Sequence, residues 1–341
     1  MTNDAGNARW LQINDASEWD AALEALPMPH VLQRWAWGQF KSRWGWSAQR
    51  WLMAEGGEAT VAVQVLKRRV GPLCVLYAPK GPAVRDRAAY FDALEFLKQR
   101  ARAQGAIWLK VDGDLLGAPF DNQLTAKPLS ETLAATGWRF SASQVQFRNT
   151  GFTRVAASDD AQLASMHQKW RYNIRLAARR GVTVRVGGER DFGLLYSLYA
   201  ETGERDGFAI RQPGYYYDAW RSMNAHALIA EREGVPLAAV VLFGFGGRGW
   251  YFYGMSRTEG REHMATYAVQ FECLRWARAR GYATYDWWGA PDRLDDPTDA
   301  MQSVWRWKEG FGAKFIAGVG AWDYAPFPLF ARIAQRFKTI T

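Results

Sequence analysis

Two stretches of this chain read alike in a single register, which leaves few folds open to it. In residues 50–111, strand patterns at 50–54 and 60–69 flank the turn Gly56-Gly57, and a third lies at 73–78. Residues 86–104 then place Tyr90, Leu94, Leu97 and Ala101 at helical spacing. Gly105 closes that helix, and 107–111 is a strand that delivers Asp112 and Asp114 to its end. The same order returns in residues 226–288. Strands at 226–230 and 235–244 flank Glu233-Gly234, a strand follows at 250–254, then a helix over 263–280 closed by Gly281, then a strand at 283–288. Matching residues lie 176 positions apart: Leu52 with Leu228, Val65-Leu66 with Val241-Leu242, Tyr77 with Tyr253, and 101–105 with 277–281. One such match is chance-level. A shared register across four strands and a helix implies the duplication of one α/β unit.

Antiparallel strands followed by a helix and a strand resemble the fold of the GCN5-related N-acetyltransferases. The expected fold class is therefore α/β (α+β), with two tandem acetyltransferase-like (GNAT-type) domains from an internal duplication. The first domain is expected over 1–150 and the second over 151–317, with 318–341 packing back on the first. Ser158-Asp159-Asp160 opens a helix just past that boundary, and Ser17 is the expected N-cap of an early helix.

At 341 residues, 48% of them apolar, the chain can bury the cores of about two domains. Its net charge of +9 suits a nucleic-acid, phosphate or anionic-membrane partner without selecting one. Two cysteines, Cys74 and Cys273, and four scattered histidines supply neither a zinc cluster nor a disulfide framework. That cysteine usage suits a reducing, cytoplasmic setting. No run approaches the ~20 apolar residues of a membrane span, and the polar N-terminus lacks a signal core. The apolar, basic segment 327–337 is expected to dock as a C-terminal helix, with peripheral membrane contact as its other use.

Three stretches carry chemistry. In 283–320, a strand breaks at Gly289-Ala290-Pro291, an acidic loop follows, and Trp305-Arg306-Trp307-Lys308 runs into Glu309-Gly310-Phe311-Gly312. A lysine among aromatics beside a glycine turn suits an anionic substrate; a Trp-rich core edge with a solvated lysine is the plainer reading. In 161–180, Arg171, Arg175 and Arg179 share one helix face, extended by Lys169 and Arg180. A solvated face would normally interleave acids with those bases, and none are present. In 201–220, Arg205, Asp206, Arg211 and Tyr215–Tyr217 beside a Gly/Pro turn are read as a loop suited to phosphate or sugar, or as a capped core edge.

Taken together these segments resemble the Fem-type (FemABX) peptidoglycan aminoacyltransferases. The motifs that carry the resemblance are residues 33–46, the basic helix through Gly181-Val182, residues 202–208 with Arg211 and Tyr215, Tyr253-Gly254-Met255-Ser256, residues 285–291, and residues 307–312. The resemblance implies transfer of an amino acid from aminoacyl-tRNA to a side-chain amine of UDP-MurNAc-pentapeptide or its lipid-linked form. By motif position it implies precursor binding by Lys41, Asp112, Arg211, Tyr215 and Tyr253, with Trp307 and Lys308 next to the reacting ester. The family usually has Phe where Trp307 stands. No heptad segment is present, so the coiled-coil arm of some members is expected to be absent, as in the compact members that act on the soluble precursor.

Aminolysis of an activated ester needs alignment of the reactants and positive charge where the oxyanion develops. Lys308 could supply that charge or hold the tRNA 3′ end, and Asp112 could orient or deprotonate the amine. No metal or other cofactor is called for. The helix bearing Lys169, Arg171, Arg175 and Arg179 is the expected tRNA surface, and a monomer is expected. Two competitors remain. An acyl-CoA N-acyltransferase needs an R/Q-x-x-G-x-G/A turn between a strand and a following helix. Here Arg278–Ala283 has that string, but it closes a helix instead. The other competitor is a binding protein that kept the fold and lost the chemistry.

Overall fold

The computed structural model describes residues 9–114 and 126–327. Two compact units emerge: one runs through Arg148 and takes in the chain again from Ile316, and the other is Asn149–Phe315. Most of the segment expected to form a docking C-terminal helix lies outside the described residues.

In the first unit, β1 (Arg9–Gln12), α1 (Ala16–Glu24) and α2 (Trp35–Ser42) precede the antiparallel strands β2 (Ser47–Glu55), β3 (Glu58–Val70) and β4 (Leu73–Ala78). The short β5 (Ala83–Val84) leads to α3 (Arg87–Ala103), which crosses over to β6 (Ala106–Val111), and α4 (Ala126–Ala135) leads to β7 (Arg139–Phe140). The sheet order is β1-β2-β3-β4-β6-β15-β7, where β15 is Trp322–Tyr324 near the other end of the chain. Asp86 caps α3 by accepting from the Ala89 amide at 2.9 Å. The helix buries Tyr90, Leu94, Leu97 and Ala101 against Val63, Val65, Leu76 and Leu109 of the sheet, as the spacing predicts. Asp15, rather than the expected Ser17, caps α1: its carboxylate accepts from the Ser17 and Glu18 amides. Aspartate caps as well as serine, and the pattern alone does not separate neighbours.

The second unit holds β8 (Thr150–Arg154), α5 (Asp159–Ala164), α6 (Gln168–Arg179), β9 (Val182–Gly187), α7 (Phe192–Asp206) and α8 (Pro213–Ser222). Its repeat follows: β10 (His226–Arg232), β11 (Val235–Phe245), β12 (Arg248–Ser256), α9 (Ala265–Ala279) and β13 (Thr284–Asp286), then α10 (Gln302–Gly310) and β14 (Lys314–Ile316). The sheet order is β14-β8-β13-β12-β11-β10-β9. In both units the crossover helix joins an antiparallel meander to a parallel neighbour, β4 to β6 and β12 to β13. The longest helix among the described residues is α3, with 17 residues, so none of them forms a coiled-coil arm.

The repeat is real in topology but its register drifts. The first hairpin turns correspond at 177 positions, Glu55↔Glu58 with Arg232↔Val235. The next turns correspond at 175, Val70↔Leu73 with Phe245↔Arg248. The offset of 176 holds where the crossover helices close, at Gly105 (φ +64°) and Gly281 (φ +71°). The turns themselves are equal, and the difference lies in the strand between them: β3 has 13 residues and β11 has 11, a two-residue change that keeps the alternation of faces.

Candidate active site

The two units differ at the one place where their parallel strands separate. In the first, β4 and β6 stay paired to Ala78↔Val111, the end of both strands. In the second, β12 and β13 stop pairing at Trp250↔Asp286, while β12 runs on to Ser256 beside β11. A cavity of about 420 Å³ opens along that stretch, lined by Tyr251, Gly254, Arg205, Arg261, Gln270 and Trp307, among others.

Lys308 lies beside this opening. It is 3% exposed, and its Nζ donates to the carbonyls of Trp287 (2.8 Å) and Gly289 (2.5 Å), just past the end of β13. The chain turns there through Trp288 at φ +67°, held by Asp286, whose Oδ1 accepts from the Trp288 amide and from Thr150 Oγ1. Burial brings the Lys308 ammonium down to about 7, opposed in part by the Asp286 charge. The ammonium lies 5.7 Å from the Tyr251 ring centroid. Trp307 stands half-buried among Tyr251, Tyr267, Trp287 and Phe311. The solvated-lysine reading of this segment is thereby excluded.

The glycines after Lys308 have separate reasons. A Cβ at Gly310 would run into the Trp170 indole, whose Nε1 donates to the Trp307 carbonyl at 3.0 Å. Gly312 sits at φ +86°, where only glycine is at ease. These contacts fix α6 against α10. On α6, Lys169, Arg175 and Arg179 are exposed, whereas Arg171 is half-buried and donates from Nη1 to the Met166 carbonyl at 2.6 Å.

A β-bulge separates two tyrosines that strict alternation would place on one face. Leu242 pairs with Tyr251 and Val241 with Tyr253, leaving Phe252 as the extra residue. Tyr251 turns toward Trp287 and Trp307, and Tyr253 toward Tyr199, Tyr216 and Trp220. Tyr215 is on a helix, not the expected loop. Pro213 sits in the first turn of α8 with Gln212 as N-cap, since a proline that ends one segment is equally suited to open a helix. Exposed Arg211 lies 4.8 Å from the Tyr215 ring, and its amide donates to Tyr216 Oη. Arg211, Tyr215 and Tyr253 therefore belong to one aromatic neighbourhood. Burial pushes the Tyr215 phenol up to about 12 and the Tyr253 phenol well above its usual range.

Lys41 and Asp112 are in the first unit. Lys41 ends α2, nearly buried, with its ammonium 5.7 Å from the Trp46 ring. Asp112 follows β6 and is 2% exposed. Its Oδ2 accepts from Tyr77 Oη and its Oδ1 from the Lys80 amide, and burial raises its pKa.

Sequence reading marks Arg205 only as part of the 201–220 stretch, and gives no role to Tyr251 or Arg261. A signal for the last was present. Arg257-Thr258-Glu259-Gly260-Arg261-Glu262 lies between β12 and α9, the strand-to-helix context that a CoA pyrophosphate turn requires. Glu262 occupies the place where that pattern needs Gly or Ala, and a carboxylate there repels a pyrophosphate. Arg278–Ala283 closes α9 and precedes β13, again the wrong context for CoA.

Tandem acetyltransferase-like units, one of them opened between its parallel strands, define an acyl-transfer class of fold. The FemAB family matches residues 15–230 and 221–339, and the chain belongs to that family. A lipid II:glycine glycyltransferase of Staphylococcus aureus (strain USA300) is 25% identical over 400 aligned positions, covering 93% of each chain. Among solved structures, FemX superposes with a TM-score of 0.82 at 22% identity, covering 97% of this chain and 100% of that one. A tandem GNAT protein from the clavulanic acid biosynthesis pathway gives 0.57 at 12% identity, over 94% and 99%.

Proposed function

We propose that this protein transfers an amino acid from aminoacyl-tRNA to a side-chain amine of a peptidoglycan precursor, starting or extending the interpeptide bridge. The observation that carries this reading is the opened strand pair of the second unit, with a cavity walled by Tyr251 and Trp307 and with Lys308 beside it. The near-full-length relationship to a lipid II:glycine glycyltransferase supports it. The donor ester enters that cavity, where Arg205 and Arg261 meet the phosphates of the RNA 3′ end. Lys169, Arg175 and Arg179 meet the RNA backbone farther along. In the second unit Arg211, Tyr215 and Tyr253 are the precursor-binding residues, and in the first unit Lys41 and Asp112 are. Asp112, with both oxygens engaged, serves by keeping Tyr77 and the backbone at Lys80 in place. The acceptor nitrogen attacks the ester carbonyl, the C–N bond forms, and the ribose oxygen leaves with a proton that the nitrogen gives up. Charged tRNA puts the reaction in the cytoplasm, with peripheral membrane contact where the precursor is lipid-linked, and one chain suffices for it.

The test is a transfer assay with total charged bacterial tRNA and either UDP-MurNAc-pentapeptide or its lipid-linked form. A mass gain in a precursor that RNase abolishes is expected. Binding of tRNA and precursor without product would overturn the enzymatic reading and leave a binding protein.

A further inference from the structure

We propose that Tyr251 is a catalytic residue of this transfer, its hydroxyl donating to the ribose oxygen that departs from the acyl group; the proposal rests on the aminoacyl-transfer reading. Tyr251 is the first residue of β12 beyond the last pair with β13, so its side chain stands where the strands part. The bulge at Phe252 sends it to the face of Lys308 and Trp307 rather than that of Tyr253. Its ring is held by Trp287 and Trp307, and it lines the cavity. The hydroxyl makes no hydrogen bond among the described residues and is not sealed from solvent, so its donor is available to a ligand. Lys308, by contrast, already gives two N–H groups to backbone carbonyls and is not on the cavity wall. It fixes the 287–289 turn and the underside of the Tyr251 ring, and so acts as a positioning residue.

Gly254 fits the same account. A Cβ there would collide with Tyr251 Oη, so the glycine of Tyr-Gly-Met-Ser is the space in which the phenol lies. The step balances. As the carbonyl carbon–oxygen bond breaks, the ribose oxygen takes the electron pair and the Tyr251 proton, and the phenol recovers a proton from the nitrogen made cationic by attack. Burial holds the phenol above its ordinary range, so it enters the step neutral.

The experiment compares wild type, Tyr251→Phe and Gly254→Ala on two donors. One is an aminoacylated RNA minihelix with its natural oxygen ester, and the other is the same minihelix charged through a 3′-thiol, whose sulfur leaves without needing a proton. On the oxygen ester, Tyr251→Phe is expected to lose ~10²-fold in kcat, the scale of one lost transition-state donor, with acceptor KM and Tm unchanged. On the thioester the loss is expected to shrink toward unity. Gly254→Ala should show the same donor dependence, and the double variant should be no worse than Tyr251→Phe, since the two act on one oxygen. Wild-type rates in Tyr251→Phe, or an equal loss on both donors, would overturn the role of the hydroxyl while leaving the transferase reading intact. An inactive wild type would overturn both.

Discussion

At the scale of the residue, Lys308 changes character between sequence and structure. The sequence shows a lysine among aromatics, which is enough to mark it. Its burial against two carbonyls is not legible, because that depends on a turn at Trp288 that no local pattern announces. The consequence is measurable. Lys308→Ala should lose transfer and also about 2–4 kcal/mol of stability, because it leaves a cavity and two buried carbonyls without donors. Lys308→Met keeps the stem and separates the two effects. The buried ammonium has a second signature. Its folded pKa lies near 7, below the unfolded value of ~10.4, so within that window the unfolded chain binds the extra proton. Stability attributable to Lys308 therefore rises with pH from about 7 to ~10.4 and is flat below. Urea midpoints of wild type and Lys308→Met across that range should diverge; parallel curves would mean the lysine is not held as described. Tyr251 escapes a sequence reading for a related reason. Period-two alternation pairs it with Tyr253, and only the bulge sets them apart.

At the scale of the element, α6 was legible in its end at Gly181 and its basic face, but not in its start: spacing reads 161–180 as one helix, whereas α5 stops at Ala164 and α6 begins at Gln168. What spacing misses is that Arg171 is partly spent on the Met166 carbonyl. Charge reversal at Arg175 and Arg179 should weaken tRNA binding and reduce the salt slope by ~1 per lost phosphate contact, without loss of helix by circular dichroism. Reversal at Arg171 should also lower Tm. An unchanged slope in the Arg175 and Arg179 variants would make the face a solvated one. The seam between α6 and α10 gives another test. Gly310→Ala drives a methyl into Trp170 and should cost ~1–3 kcal/mol by overpacking, read as a fall in thermal midpoint. Restoration by Trp170→Phe would localise the clash.

At the scale of the whole molecule, the duplication was legible because the order of strands and crossover helix returns at nearly one offset, and the drift from 177 to 175 was not, because it is a two-residue difference in length between β3 and β11 that leaves the alternation of faces unchanged. The divergence that matters, one parallel pair closed and the other open, leaves no compositional trace. A second long-range feature is β15, which lies between β6 and β7. There Asp323 pairs at 2.9 Å with Lys110, a lysine with no exposed surface that also donates to the Ser143 carbonyl. Asp323→Ala should therefore cost about 1–3 kcal/mol, the scale of one lost partner of a buried charge that keeps its other hydrogen bonds. Chains ending at 315 should lose protection of β6 in hydrogen exchange while β11 and β12 keep theirs. Equal protection in both would mean β15 is dispensable. This strand also sets an order of events during synthesis. Domains generally fold as they leave the ribosome, the N-terminal one first. Here the earlier-made sheet is missing an interior strand until residues 322–324 emerge, whereas the later-made unit is contiguous in the chain. The half translated second is complete first, and the half translated first must wait, unfinished, until the whole of the other has been made.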